Sequence, residues 1–206
     1  MYIRGVVSII FGIFMLTSVH AHANDKKGYV GFEAGLAFAD INADATAQAL
    51  ANASGETVSY SYDTSALTGR LSLGYWFEDN FAFEIGAFAT GDLNATYVGT
   101  SFTASENFSA SGLDVAILLS PSDNGWFFKG GMHSSELASD AAVNFIGFSL
   151  SGTATVSGTG GLFGFGYDWE DSSGDFGRLS YTFYDSLGGV SGSEMGLLSV
   201  SYNLGF

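Results

Sequence analysis

Hydrophobic and polar positions alternate with a period of two through most of the chain after residue 28. This is the pattern of β-strands with two unlike faces. Eight segments carry it. Val30, Phe32, Leu36 and Phe38 oppose Gly31, Glu33, Gly35 and Ala37. Leu67, Leu71, Leu73, Tyr75 and Phe77 oppose Thr68, Arg70, Ser72, Gly74 and Trp76. Phe81, Phe83, Ile85 and Ala87 oppose Ala82, Glu84, Gly86 and Phe88. Leu113, Val115, Ile117 and Leu119 oppose Gly112, Asp114, Ala116 and Leu118. Trp126, Phe128, Gly130 and Met132 oppose Phe127, Lys129, Gly131 and His133. Phe163, Phe165, Tyr167 and Trp169 oppose Leu162, Gly164, Gly166 and Asp168. Leu179, Tyr181 and Phe183 oppose Arg178, Ser180, Thr182 and Tyr184. Leu198, Val200, Tyr202, Leu204 and Phe206 oppose Leu197, Ser199, Ser201, Asn203 and Gly205.

Each segment has roughly the 9–11 residues that a tilted strand needs to cross a bilayer. Connections near 39–64, 90–108, 134–153 and 186–193 are long. Those near 78–80, 120–125 and 170–175 are short, with turn residues Asp79-Asn80, Asp123-Asn124-Gly125 and Ser173-Gly174. The pattern predicts an all-β, eight-stranded antiparallel up-and-down transmembrane barrel with short periplasmic turns and long extracellular loops. An even strand number places both termini on the short-turn side.

Alternation does not say which face points outward, since a soluble lipocalin-like barrel alternates too. The second face decides. It carries about one charge per strand and is otherwise mostly Gly, Ala, Ser and Thr. A water-facing surface is roughly a quarter to a third charged, whereas eight strands leave a lumen only wide enough for side chains. The membrane reading follows, with the soluble barrel as its rival. Tyr75, Phe77, Phe81, Trp126, Tyr167, Trp169, Phe176 and Phe206 cluster beside the short turns or the C-terminus, as an aromatic girdle at one interface would. Tyr184 and Phe108 are weaker candidates for the far girdle.

Composition agrees. The 206 residues include no cysteine and one proline, with 21 acidic against 6 basic residues and a formal charge of −15. The charged fraction is 13%, against about 25% in average proteins. A disulfide scaffold is excluded, and nucleic-acid binding lacks the basic patch it needs. Residues 1–23 contain one base, Arg4, then an apolar run from Val6 to Val19, then Ala21-His22-Ala23. These are the parts of a secretory signal peptide cleaved after Ala23. The division expected is therefore 1–23 signal peptide and 24–206 barrel domain, located in the cell outer membrane.

The opening Gly28-Tyr29-Val30-Gly31, the segment 161–167 and the ending Ser201-Tyr202-Asn203-Leu204-Gly205-Phe206 resemble the OmpA-type family of small outer-membrane β-barrels. The resemblance covers about 28–206 and implies the barrel alone, without a peptidoglycan-binding domain. It also implies that Tyr202, Leu204 and Phe206 form the signal read by the barrel-assembly machinery, with periplasmic chaperones as transient partners. Outer-membrane lipid and lipopolysaccharide are the implied surroundings.

The inward face is expected to carry Glu33, Arg70, Glu84, Asp114, Lys129, Asp168 and Arg178. A base facing lipid costs about 2–4 kcal/mol at mid-bilayer, and buried charges need partners. The neighbours available are Glu33 or Glu84 for Arg70, Asp114 for Lys129 and Asp168 for Arg178. Such pairs either plug the lumen or, by exchanging partners, gate a small low-conductance pore. Catalysis has little to draw on. His133-Ser134-Ser135-Glu136 holds the group types of a lipid A deacylase, but only His133 and Ser135 share a face. No catalytic, cofactor or metal site is assigned. The long connections hold Asp40, Asp44, Glu56, Asp63, Asp92, Glu106, Glu136, Asp140, Asp185 and Glu194 and no base. They form either a solvated acidic surface or a place for divalent cations. Residues 44–53 suit one or two helical turns, with Asp44 as a cap. The reading is a structural or surface-interaction protein, not an enzyme.

Overall fold

The computed structural model describes residues 27–39, 43–78, 80–121, 125–170 and 174–206. The expected signal peptide, its cleavage point, Asp40 and the turn residues Asp79, Asp123, Asn124 and Ser173 lie outside the described residues.

Among the described residues, ten strands and one α-helix follow one another as β1 (Gly28–Ala39), α1 (Ala43–Ser54), β2 (Ser59–Tyr62), β3 (Ser65–Glu78), β4 (Phe81–Thr90), β5 (Leu93–Val98), β6 (Phe102–Leu119), β7 (Trp126–Phe145), β8 (Phe148–Glu170), β9 (Phe176–Tyr184) and β10 (Met195–Gly205), with a short 3-10 turn at Leu187–Gly189. Eight of them close a ring in the order β1, β3, β4, β6, β7, β8, β9, β10, with every neighbouring pair antiparallel. Within the ring, closure pairs each strand on both sides, the condition for a sheet in hydrocarbon.

The apolar parity faces out. Phe32, Leu36, Ile85, Val115, Ile117, Phe128, Phe163, Phe165, Leu198 and Val200 are all exposed. The other parity is buried and holds Glu33, Arg70, Ser72, Glu84, Asp114, Lys129, Arg178, Ser180, Thr182 and Ser199. A soluble barrel would place these faces the other way round. That inversion decides between the two barrels that alternation allowed.

The outer end departs from the expectation of long loops. β2 pairs with β5, and β5 with the upper half of β6, so β2 and β5 continue the lines of β3 and β4 beyond the ring. β7 and β8 stay paired from Trp126↔Tyr167 up to Phe145↔Phe148, where Gly147 turns the chain at φ +98°. The connections expected near 90–108 and 134–153 are therefore mostly strand. Beyond the ring both faces of these strands carry mostly small and polar residues, so they lose the apolar contrast that marks the strands lower down. The helix spans 12 residues, more than the two turns expected. Asp44 lies within its first turn rather than capping it, and accepts a hydrogen bond from the Tyr60 hydroxyl. Ala43 and Ala47 bury against Ala95, Tyr97, Phe102 and Ala104, a small second core under the helix.

Candidate functional site

The lumen is the candidate site, and strand parity builds it. Glu33 and Arg70 face each other across β1 and β3, as do Asp168 and Arg178 across β8 and β9. Arg70 donates through Nε and Nη2 to both oxygens of Asp114 at 2.9 and 2.6 Å, through Nη1 to Glu33 at 3.2 Å and through Nη2 to Glu84 at 2.7 Å. Arg178 donates through Nε and Nη2 to Asp168 at 2.7 and 2.9 Å and through Nη1 to Glu84 at 2.8 Å. Both guanidiniums thus use the planar fork that carboxylates favour.

Glu84 is the hub. It also accepts from the Tyr29 hydroxyl at 2.6 Å and the Lys129 Nζ at 3.5 Å. Lys129 thus ion-pairs with Glu84, whereas its expected partner was Asp114. The physical reason is competition: Asp114 is already held by the Arg70 fork and by the Tyr184 hydroxyl at 3.1 Å. Glu33 accepts from the Ser199 hydroxyl. The seven charges form one connected cluster, since Glu84 joins the Arg70 and Arg178 groups. Around Arg178, Phe127 covers the guanidinium at 4.4 Å, with Tyr29 and Phe176 at 5.4 Å.

Sequence reasoning passed over Tyr29, Tyr184 and Ser199 as members of this cluster. Their signal was present: Tyr29 shares the parity of Glu33, and Tyr184 that of Arg178. Phe176 shares Arg178's parity as well. It is buried in the lumen, edge-on to Tyr29 at 5.1 Å, and so does not belong to the girdle in which proximity to a turn had placed it. Tyr184 likewise points inward rather than to a far girdle. Tyr75, Phe77, Trp126, Tyr167, Trp169 and Phe206 are exposed on the outer wall, and Tyr75–Phe77, Phe77–Phe81 and Trp126–Tyr167 make ring contacts there. Tyr202 and Leu204 are also exposed on that wall.

His133 is buried above the charges, with its ring edge-on to Phe88 and Tyr184. Its Nε2 donates to the Asp185 carbonyl at 2.8 Å. Ser135 Oγ accepts the Gly188 N–H at 2.9 Å, and Glu136 is exposed on the opposite face. The three groups of the deacylase pattern are therefore not brought together. Higher still, a cleft of about 220 Å³ opens between β1, β6 and the β9–β10 connection, lined by Leu93, Phe108, Leu187 and Met195 among others.

The acids of the outer segments act as local ties. Glu56 accepts from the Thr100 and Ser101 N–H groups and the Ser101 hydroxyl, which hold its carboxyl below the usual carboxylate range. Asp63 accepts from Asn94, and Glu106 from Ser139. Among the described residues, no three His, Cys, Asp or Glu side chains converge as a metal site would require.

No protein-family model matches the chain, and no curated protein sequence matches it. Among solved structures it is similar to the outer membrane protein OprG from Pseudomonas aeruginosa, with a TM-score of 0.50 and 13% identity, covering 88% of this chain and 98% of that one. The fold is that of a small outer-membrane β-barrel. The attachment invasion locus protein Ail of Yersinia pestis has a TM-score of 0.47 at 13% identity, covering 86% and 99% of the two chains. Neisserial surface protein A follows at 0.38 and 16%, covering 87% and 97%. At identities of this order the likeness is one of fold.

Proposed function

We propose that the chain is an integral protein of the bacterial outer membrane, delivered by a signal peptide cleaved near Ala23, with a lumen plugged by its charged cluster and a structural or surface-interaction role. The observation that carries this reading is the inverted barrel: an apolar exterior around a buried cluster of four acids and three bases, with the longest strands projecting past one rim. Charged residues inside and hydrocarbon side chains outside suit lipid and no other solvent. In this reading the exterior meets outer-membrane lipid and lipopolysaccharide. Tyr202, Leu204 and Phe206, at the end of β10, present the assembly signal to the barrel-assembly machinery. The acidic outer segments stay apart from lipopolysaccharide phosphates except where divalent cations bridge them.

Fractionation with heat-modifiable gel mobility tests the location. Recovery as a soluble periplasmic protein would overturn it. Planar-bilayer recording tests the plug: the expected result is no conductance above background, and discrete channel steps would replace the plug with a pore.

A further inference from the structure

The projecting hairpin leaves one strand edge open. β9 pairs with β8 only from Leu162 to Glu170, while β7 pairs with β8 all the way to Phe148. The connection after β9 closes over β8 only as far as Val156 and Gly158, against which Gly188 and Gly189 lie. Among the described residues, 148–155 of β8 therefore have a ladder on one side alone. The Asp185 N–H donates to the Gly161 carbonyl, on the β9 side of β8, and the Asp168 N–H donates to the Gly125 carbonyl, on the β7 side. Backbone groups alternate sides along a strand, and the β7–β8 register is unbroken. Ser149, Ser151, Thr153 and Thr155 thus direct their N–H and C=O groups to the open edge.

Proteins protect such edges with charge, proline or a bulge. This one has none of these: residues 141–167 contain no Asp, Glu, Lys, Arg or Pro. Its two faces are unlike. Leu150 and Val156 are exposed on the concave side, opposite Val143 and Leu137. Serines and threonines line the convex side, backed on β7 by the exposed Glu136 and Asp140, which pair with Ser157 and Thr153.

We propose that the open edge of β8 receives an extended polypeptide segment as an added antiparallel strand, one that alternates apolar and basic residues. The backbone ladder supplies affinity, and the two faces select the partner. Apolar side chains cover Leu150 and Val156, and basic ones reach Glu136 and Asp140. A second copy in the same membrane does not fit. It shares the same upward direction, so its β8 would lie parallel, and it brings the same acids. The proposal deepens the surface-interaction reading and rests on it for the outward direction of the hairpin.

The test uses the full chain in phospholipid nanodiscs, so its outcome does not depend on cellular location. The probe is a ten-residue peptide of alternating valine and lysine, with a valine–glutamate peptide for comparison. Calorimetry gives affinity, and amide exchange locates the contact. The expected result is binding of the lysine peptide with slowed exchange at Ser149, Ser151, Thr153 and Thr155. Thr153→Pro removes one outward N–H without touching the β7 ladder, and weakens binding at least tenfold while heat-modifiable mobility persists. Paired Glu136→Lys and Asp140→Lys changes weaken the lysine peptide and strengthen the glutamate one. Equal affinity for both peptides, undiminished binding by Thr153→Pro, or protection elsewhere on the chain overturns the proposal.

Discussion

Replacing Arg70 with methionine keeps much of the side-chain volume and removes the charge that organises the lumen. Four hydrogen bonds to three carboxylates are lost. Each charge-assisted bond is worth about 1.5–3 kcal/mol, but their sum overstates the loss, because the carboxylates keep other partners. Glu84 retains Arg178, Lys129 and Tyr29, and Glu33 retains Ser199. Asp114 keeps the Tyr184 hydroxyl. Breaking a buried pair by removing one member costs about 3–5 kcal/mol, or roughly 150- to 5,000-fold in the folding equilibrium. Urea titration of the barrel in vesicles, followed by the fluorescence of Trp76, Trp126 and Trp169, measures it. The sign of a second change is more telling. Asp114→Asn destabilises the wild type, where the carboxylate is used, and stabilises Arg70→Met, where it is stranded. A loss below about 0.5 kcal/mol for Arg70→Met, or additive effects in the double variant, would refute the reasoning.

Further outcomes follow from other positions. A Cβ on Gly86 would lie 2.4 Å from Arg70 Nη2, and that guanidinium is held by three carboxylates, so Gly86→Ala costs about 1–3 kcal/mol as overpacking in the same titration. Val115→Arg puts a base on the lipid face and costs about 2–4 kcal/mol if it lies near mid-bilayer, with no such cost for arginine at exposed Glu136. Glu56 is held below its ordinary value of 4.5 by Ser101 and Thr100, so its contribution is full above that value and lost as pH falls through the lowered one. Amide exchange at Thr100 and Ser101 should therefore quicken in acid, and should be fast at every pH in Glu56→Ala.

The ring and its inversion were legible because the two faces of each strand differ so sharply in polarity. Val115 is exposed and its neighbour Asp114 is buried, and alternation of that kind survives in the sequence. Contrast fades above the rim, where Ser139, Thr153 and Ala154 read as loop although they lie in the longest strands. The lumen was half legible. Parity marked its charges, and Glu33–Arg70 and Asp168–Arg178 follow from adjacency. Arg70–Asp114 and Arg178–Glu84 join strands that are not neighbours, and no spacing along the chain encodes a contact made across a barrel. Phe176 shows that parity outranks proximity to a turn.

The charged cluster draws one member from each of seven strands, and the eighth, β10, adds Ser199 to Glu33. A chain inserting into a bilayer therefore reaches an electrically quiet interior only when the last strand has met the first. A slip of one residue in any strand would turn its charge to lipid and its apolar row to the lumen. The groups that fill the finished barrel therefore fit together only in the one register in which every strand keeps its parity.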